Sequence, residues 1–97
     1  MSESSRSKTV RIRIEGRVQG VWFRAWTGDE AMKRGVRGWV RNRKDGSVEA
    51  QFSGLASSVD DMVEVCKRGP PHAIVRGVIA AEAEDDGEPG FRTLPTV

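Results

Sequence analysis

The 97-residue chain has one cysteine, one histidine and no apolar run of membrane-spanning length. Each shortage excludes something. A lone Cys66 cannot form an internal disulfide, which suits a reducing cytoplasm. One cysteine and one histidine provide no ligand cluster for a structural zinc site. Without a long apolar stretch no membrane association is expected. The opening MSESSRSK is too polar for a secretory signal. Residues 1–7 read instead as a frayed serine-rich tail ahead of a single domain over 8–97. Internal repeats and separating linkers are also lacking. His72, not arginine, stands six positions after Cys66, so the thiolate-phosphatase spacing Cys-x5-Arg is absent. His72 itself follows two prolines with no nucleophile motif beside it and reads as an ordinary loop residue.

What is present is a soluble, globular composition, 37% hydrophobic and 31% charged, sized for one modest core. The net charge of +2 is unevenly spread. Residues 1–44 hold 12 Lys/Arg against 4 Asp/Glu, a balance of +8, and residues 45–97 hold 4 against 10, a balance of −6. A basic first half fits an anionic ligand. It fits equally well two halves that attract each other across the fold.

Residues 8–15 alternate, with Val10, Ile12 and Ile14 opposite Arg11, Arg13 and Glu15, and this predicts a half-buried strand. Residues 22–34 carry Phe23, Thr27 and Ala31 on one helical face, closed by Gly35. A second strand is expected from Val36 to Lys44, with Val36, Gly38, Val40 and Asn42 on one side. Asp45-Gly46 then signals a hairpin into a third strand through Val48, Ala50 and Phe52. Ser57 and Ser58 can cap a second helix, whose Val59, Met62, Val63 and Cys66 share a face and which Gly69-Pro70-Pro71 stops. Cys66 reads as a small core residue on that face. A fourth strand is expected from Ala73 to about Ala83. An acidic, turn-rich stretch follows, and Phe91 to Leu94 can add a short fifth edge strand. The order β-α-β-β-α-β predicts an α+β, ferredoxin-like sandwich: a four-stranded antiparallel sheet with both helices on one face.

Two segments can carry chemistry. The first is Gly16-Arg-Val-Gln-Gly-Val-Trp-Phe-Arg24, between the first strand and the first helix. Its glycines allow the backbone to curl into an anion nest beside a helix N-terminus, with Arg24 in the first turn able to grip a phosphate bidentately. A plain βα turn fits the same pattern. No Gly-Lys-Ser/Thr follows, so it is not a Walker A loop. The second is Gly38-Trp-Val-Arg-Asn-Arg-Lys-Asp-Gly46. The Asn42 amide offers a donor and an acceptor, enough to hold a water and a phosphate oxygen together, or it can shape the hairpin. Trp22, Trp26 and Trp39 are stacking platforms or packing residues, and Arg37, Arg41 and Arg43 read as a solvated basic face.

Together these segments resemble the acylphosphatase family. Ile14, Gly16, Val18, Gln19, Gly20, Val21, Phe23 and Arg24 match its first motif. Gly38, Trp39, Val40, Asn42, Gly46, Val48 and Gly54 match its second. The likeness runs from about residue 8 to the end. It implies the same sandwich fold and hydrolysis of the carboxyl–phosphate bond of acyl phosphates, without metal or organic cofactor. By the resemblance, Arg24 binds the phosphoryl group together with the backbone amides of Arg17, Val18, Gln19, Gly20 and Val21, and Asn42 positions the attacking water. The implied partner is a small-molecule acyl phosphate, with inorganic phosphate as product or inhibitor. Neither nucleic acid nor membrane is involved, and the expected state is a cytoplasmic monomer. Trp22 and Arg43 fill positions that the motifs leave variable; Trp22 can narrow the entrance, and Arg43 adds charge beside Asn42. The competing expectation is a ferredoxin-like module that binds phosphate or RNA without turnover. For RNA, aromatics in a recognition pattern are required, and Arg37-Gly38-Trp39 starts one that Val40-Arg41-Asn42 breaks. A domain that senses acyl phosphates without hydrolysing them would keep the same site.

Overall fold

A computed structural model of the chain describes residues 6–97. The expected tail falls on residues 1–7, of which the first five lie outside the described residues. Strand β1 spans Ser7–Arg17, one residue earlier than the alternation suggests, with Ser7 opposite Leu55 of β3 (Val48–Leu55). Val10, Ile12 and Ile14 are buried on one side, as the period of two requires. Helix α1, Phe23–Lys33, buries Phe23, Thr27 and Ala31. The buried Thr27 hydroxyl is satisfied by donating to the Phe23 carbonyl one turn back, at 2.7 Å. Gly35 closes the helix through paired bonds, Gly35 N–H to Met32 O and Val36 N–H to Ala31 O.

Strand β2 (Arg37–Asn42) pairs antiparallel with β3, and β4 (Ile74–Glu82) pairs antiparallel with β1. The short β5 (Phe91–Thr93) lies parallel to β2, giving the order β4-β1-β3-β2-β5. The four antiparallel strands and the fifth edge strand are the ferredoxin-like arrangement that periodicity suggests. Helices α1 and α2 (Ala56–Cys66) cover one face. There Val59, Met62 and Cys66 meet Ile12, Val40, Ala50 and Phe52 in one core.

Two local expectations change. Helix α2 is not capped by Ser57 or Ser58: Leu55 is its N-cap, and among the described residues no side chain caps it. Strand β3 runs straight into the helix, because Ala56 N–H donates to Arg6 O at 2.8 Å and leaves no loop for a serine cap. The basic face of β2 is not simply solvated. Arg37 is bound bidentately by Asp85, and Arg41 and Arg43 both reach Glu49. With Lys8–Asp60 and Arg34–Asp61, these pairs join the basic first half to the acidic second.

Candidate active site

The loop between β1 and α1 begins later than its glycines suggest. Gly16 is a strand residue at a β-bulge, where the register against β4 shifts. Its φ is +130°, and a Cβ there would sit 2.1 Å from Ile74 O. Gly16 therefore serves the approach of two strands, not the nest. Gly20 is different: it has φ +72° and nothing within 4 Å of where its Cβ would be. Only this second glycine faces open space that a ligand could fill.

Among the described residues, no amide from Gln19 to Ala25 donates to a backbone carbonyl; the first to do so is Trp26 N–H, to Trp22 O at 3.0 Å. Among the described residues, the N-terminus of α1 has no side-chain cap, and its first turn holds no acidic residue. Unsatisfied N–H groups and the helix dipole thus leave a concentration of positive potential beside Gly20. Arg24, exposed in that first turn, adds a full charge. It makes no ion pair among the described residues, whereas Arg34, Arg37 and Arg41 are all paired with carboxylates.

Asn42 ends β2 on the side of the buried Val36 and Val40, opposite Val48. Its backbone is fixed from the far side as well, since Val97 N–H donates to Asn42 O at 3.2 Å and Lys44 N–H donates to Val97 O at 2.7 Å. One contact ties this strand end to the loop. The Gln19 side chain donates from Nε2 to Arg43 O at 2.7 Å and to Ser47 O at 2.8 Å. Both amide hydrogens are spent on the hairpin that starts one residue after Asn42.

The result is an open pocket of about 480 Å³, lined by Val18, Gln19, Gly20, Trp22, Phe23, Arg24, Ala25, Asn42 and Thr93. Five of the seven sequence-predicted site residues line it. The other two do not: Arg17 is the exposed end of β1 opposite Ile74, and Val21 is half-buried against the core. Two contributions carry no local signal in the sequence. Thr93 comes from β5, which lies against Val40 by a parallel pairing that no local pattern announces. The anchoring role of the Gln19 side chain was the other, hidden because a glutamine in a loop has many partners open to it.

Among the described residues, no carboxylate, histidine or cysteine lines the pocket. Cys66 is buried in the core, where the loss of hydration pushes its thiol up to about 12. His72 is an exposed loop residue, and among the described residues no acidic, histidine or cysteine cluster could hold a metal ion.

The acylphosphatase family model matches residues 10–93, so it takes in both halves of the pocket. The chain belongs to that family. An acylphosphatase of Nitrobacter hamburgensis is 56% identical over 93 residues, covering 90% of this chain and 94% of that one. One from Rubrobacter xylanophilus is 49% identical, covering 94% and 84%. Among solved structures, the acylphosphatase of Bacillus subtilis superposes with a TM-score of 0.85 at 38% identity, covering 89% of this chain and 97% of that one. The Coxiella burnetii acylphosphatase gives 0.87 at 31% identity, covering 91% and 93%. Family membership makes the Gly20–Arg24–Asn42 pocket the place to look for acylphosphatase chemistry.

Proposed function

We propose that this enzyme hydrolyses acyl phosphates to a carboxylate and inorganic phosphate by in-line attack of a water held at Asn42 on a phosphoryl group held at Arg24. The observation that carries this reading is the pocket itself, where among the described residues an unpaired guanidinium, free backbone amides and a neutral amide meet with no acidic group. Arg24 and the amides around Gly20 stabilise the equatorial phosphoryl oxygens as charge redistributes. Asn42, whose amide both donates and accepts, orients the water opposite the leaving oxygen. The water oxygen forms a bond to phosphorus and the phosphorus–acyl oxygen bond breaks. Its electron pair leaves with the carboxylate, an anion stable enough to need no general acid. With no base lining the pocket among the described residues, a phosphoryl oxygen of the substrate accepts the proton of the water. Arg17 and Val21 act in this reading by shaping the loop, and Val18, Gln19 and Gly20 face the phosphate.

We place the enzyme in the cytoplasm as a monomer acting on a small molecule, with inorganic phosphate as competing product and without metal, cofactor or nucleic acid. The single buried thiol is consistent with a reducing compartment. No helix among the described residues is long and apolar enough to cross a membrane. Against an RNA-binding role stands Trp39, only 5% exposed and flanked by the guanidinium groups of Arg11 and Arg41 at 5.2 and 4.7 Å from its ring centroid. A ring covered on this scale has no face left for a base to stack on.

Steady-state hydrolysis of benzoyl phosphate with EDTA present tests the mechanism. Wild type should turn over undiminished by the chelator. Arg24→Ala should lose binding and rate together, and Asn42→Ala should lose about 10²–10³ in rate, the usual effect of removing one preorganised hydrogen-bonding group. A wild type that needs a divalent ion, or an Asn42→Ala variant as fast as wild type, would refute it.

A further inference from the structure

Trp22 is the most exposed large apolar residue among those described, with 81% of its surface accessible, and it lines the pocket. The other two tryptophans are accounted for. Trp26 packs edge-on against Phe23 at 5.3 Å, and Trp39 has the guanidinium groups of both Arg11 and Arg41 against its ring. Trp22 has no such aromatic or cationic partner among the described residues. Its backbone is also unusual, at φ 66° and ψ 19°, and no other described non-glycine residue has positive φ. A bulky residue held in the left-handed region is costly, and such residues concentrate at ligand clamps. Here the fixed start of α1, where Trp26 N–H bonds to Trp22 O, holds the indole beside the pocket.

The remaining apolar lining adds little surface. Val18 and Phe23 are 1% and 2% exposed, so they present only an edge, and Ala25 is small. A cavity of about 480 Å³ is far roomier than a phosphoryl group with an acetyl tail requires; it lies in the range of sites that take drug-sized ligands. With the phosphoryl group held at Gly20 and Arg24, the acyl group must occupy what remains, and among the described residues Trp22 is the one large apolar surface there.

We infer that Trp22 forms the acyl-group subsite and selects aromatic or bulky apolar acyl phosphates over acetyl phosphate. This rests on the acyl-phosphate reading above. A planar acyl group lies against the indole, and the resulting contact strengthens substrate binding, not the chemical step. An aromatic pair of this kind supports about a two- to tenfold preference beyond simple burial.

Selectivity measures it directly. The ratio of kcat/KM for benzoyl phosphate to that for acetyl phosphate is compared in wild type, Trp22→Phe and Trp22→Asn. Asparagine tolerates the left-handed backbone and so keeps the loop foldable. Wild type should favour benzoyl phosphate, and Trp22→Phe should keep most of that preference. Trp22→Asn should reduce the ratio about tenfold, chiefly through KM for the benzoyl substrate. An unchanged ratio in Trp22→Asn would overturn the proposal, as would equal losses on both substrates with weakened competition by inorganic phosphate, which mark a loop-shaping role. A wild type that hydrolyses neither substrate would remove the acyl-phosphate reading and this subsite with it. That failure is distinguishable from an active enzyme without selectivity.

Discussion

At the scale of single residues, the site depends on which polar groups are left free and which are used up. Arg24 is available because no carboxylate among the described residues claims it, and Gly20 because open space lies over its α-carbon. Gln19 is the reverse case, with both side-chain amide hydrogens engaged in holding the loop to the hairpin. Gln19→Ala removes two hydrogen bonds to carbonyls that each keep one backbone donor, Gly46 N–H on Arg43 O and Arg43 N–H on Ser47 O. At the usual net value per bond, stability should fall by about 1–3 kcal/mol. The catalytic rate should fall as well, because Asn42 is no longer tied to the loop. Urea unfolding and kcat on the same preparation check this; a destabilised variant with wild-type kcat would show that the tie is structural only. Arg24 and Asn42 were legible in the sequence, since both stand in long ordered motifs at strand and helix ends. The side-chain reach of Gln19 was not, because it crosses to a hairpin 24 residues away.

At the scale of elements, periodicity located every strand and both helices to within a few residues. The buried triplet Phe23, Thr27 and Ala31 and the alternation of Val10, Ile12 and Ile14 follow from side-chain direction alone. What periodicity could not supply was how an element begins. Helix α2 starts from a strand with no loop, and β1 bulges at Gly16, and both depend on partners distant in sequence. The two loop glycines should accordingly respond differently. Gly16→Ala forces a Cβ into the Ile74 carbonyl and should cost about 3 kcal/mol, the upper end for strained backbone. Gly20→Ala meets no atom and should cost about 1–2 kcal/mol for its left-handed φ alone. Comparing their urea midpoints distinguishes the two roles; equal losses would mean that Gly16 is not held by β4.

At the scale of the whole molecule, the charge asymmetry serves folding more than it serves ligand binding. Of the two explanations that the composition left open, attraction between the halves is the one that Arg37–Asp85, Arg41–Glu49, Lys8–Asp60 and Arg34–Asp61 bear out. Arg24 is left as local charge at the pocket. The Arg37 guanidinium and the Gly87 amide hold the Asp85 carboxyl down to about 2, and Asp45, Asp86 and Glu30 are lowered as well by hydrogen bonds to their neighbours. A carboxylate with a lowered folded-state pKa stabilises the fold above its unfolded value, about 4, and loses that contribution as pH falls toward the folded value. Urea midpoints should therefore be level near neutrality and decline progressively between about pH 4 and pH 2. The decline should be shallower in Asp85→Asn. A midpoint unchanged across that window would mean that these exposed pairs add nothing, as isolated surface pairs often do.

The pocket performs two separable tasks, holding phosphate at Gly20 and Arg24 and delivering water from Asn42. The most direct measurement of that division is the competitive inhibition constant of inorganic phosphate in Asn42→Ala, taken beside its kcat. In that variant kcat should fall about 10²–10³ while the inhibition constant stays within about threefold of wild type, since the phosphate cradle is intact. Parallel losses in both would contradict it, because Asn42 would then be holding the phosphate and not the water.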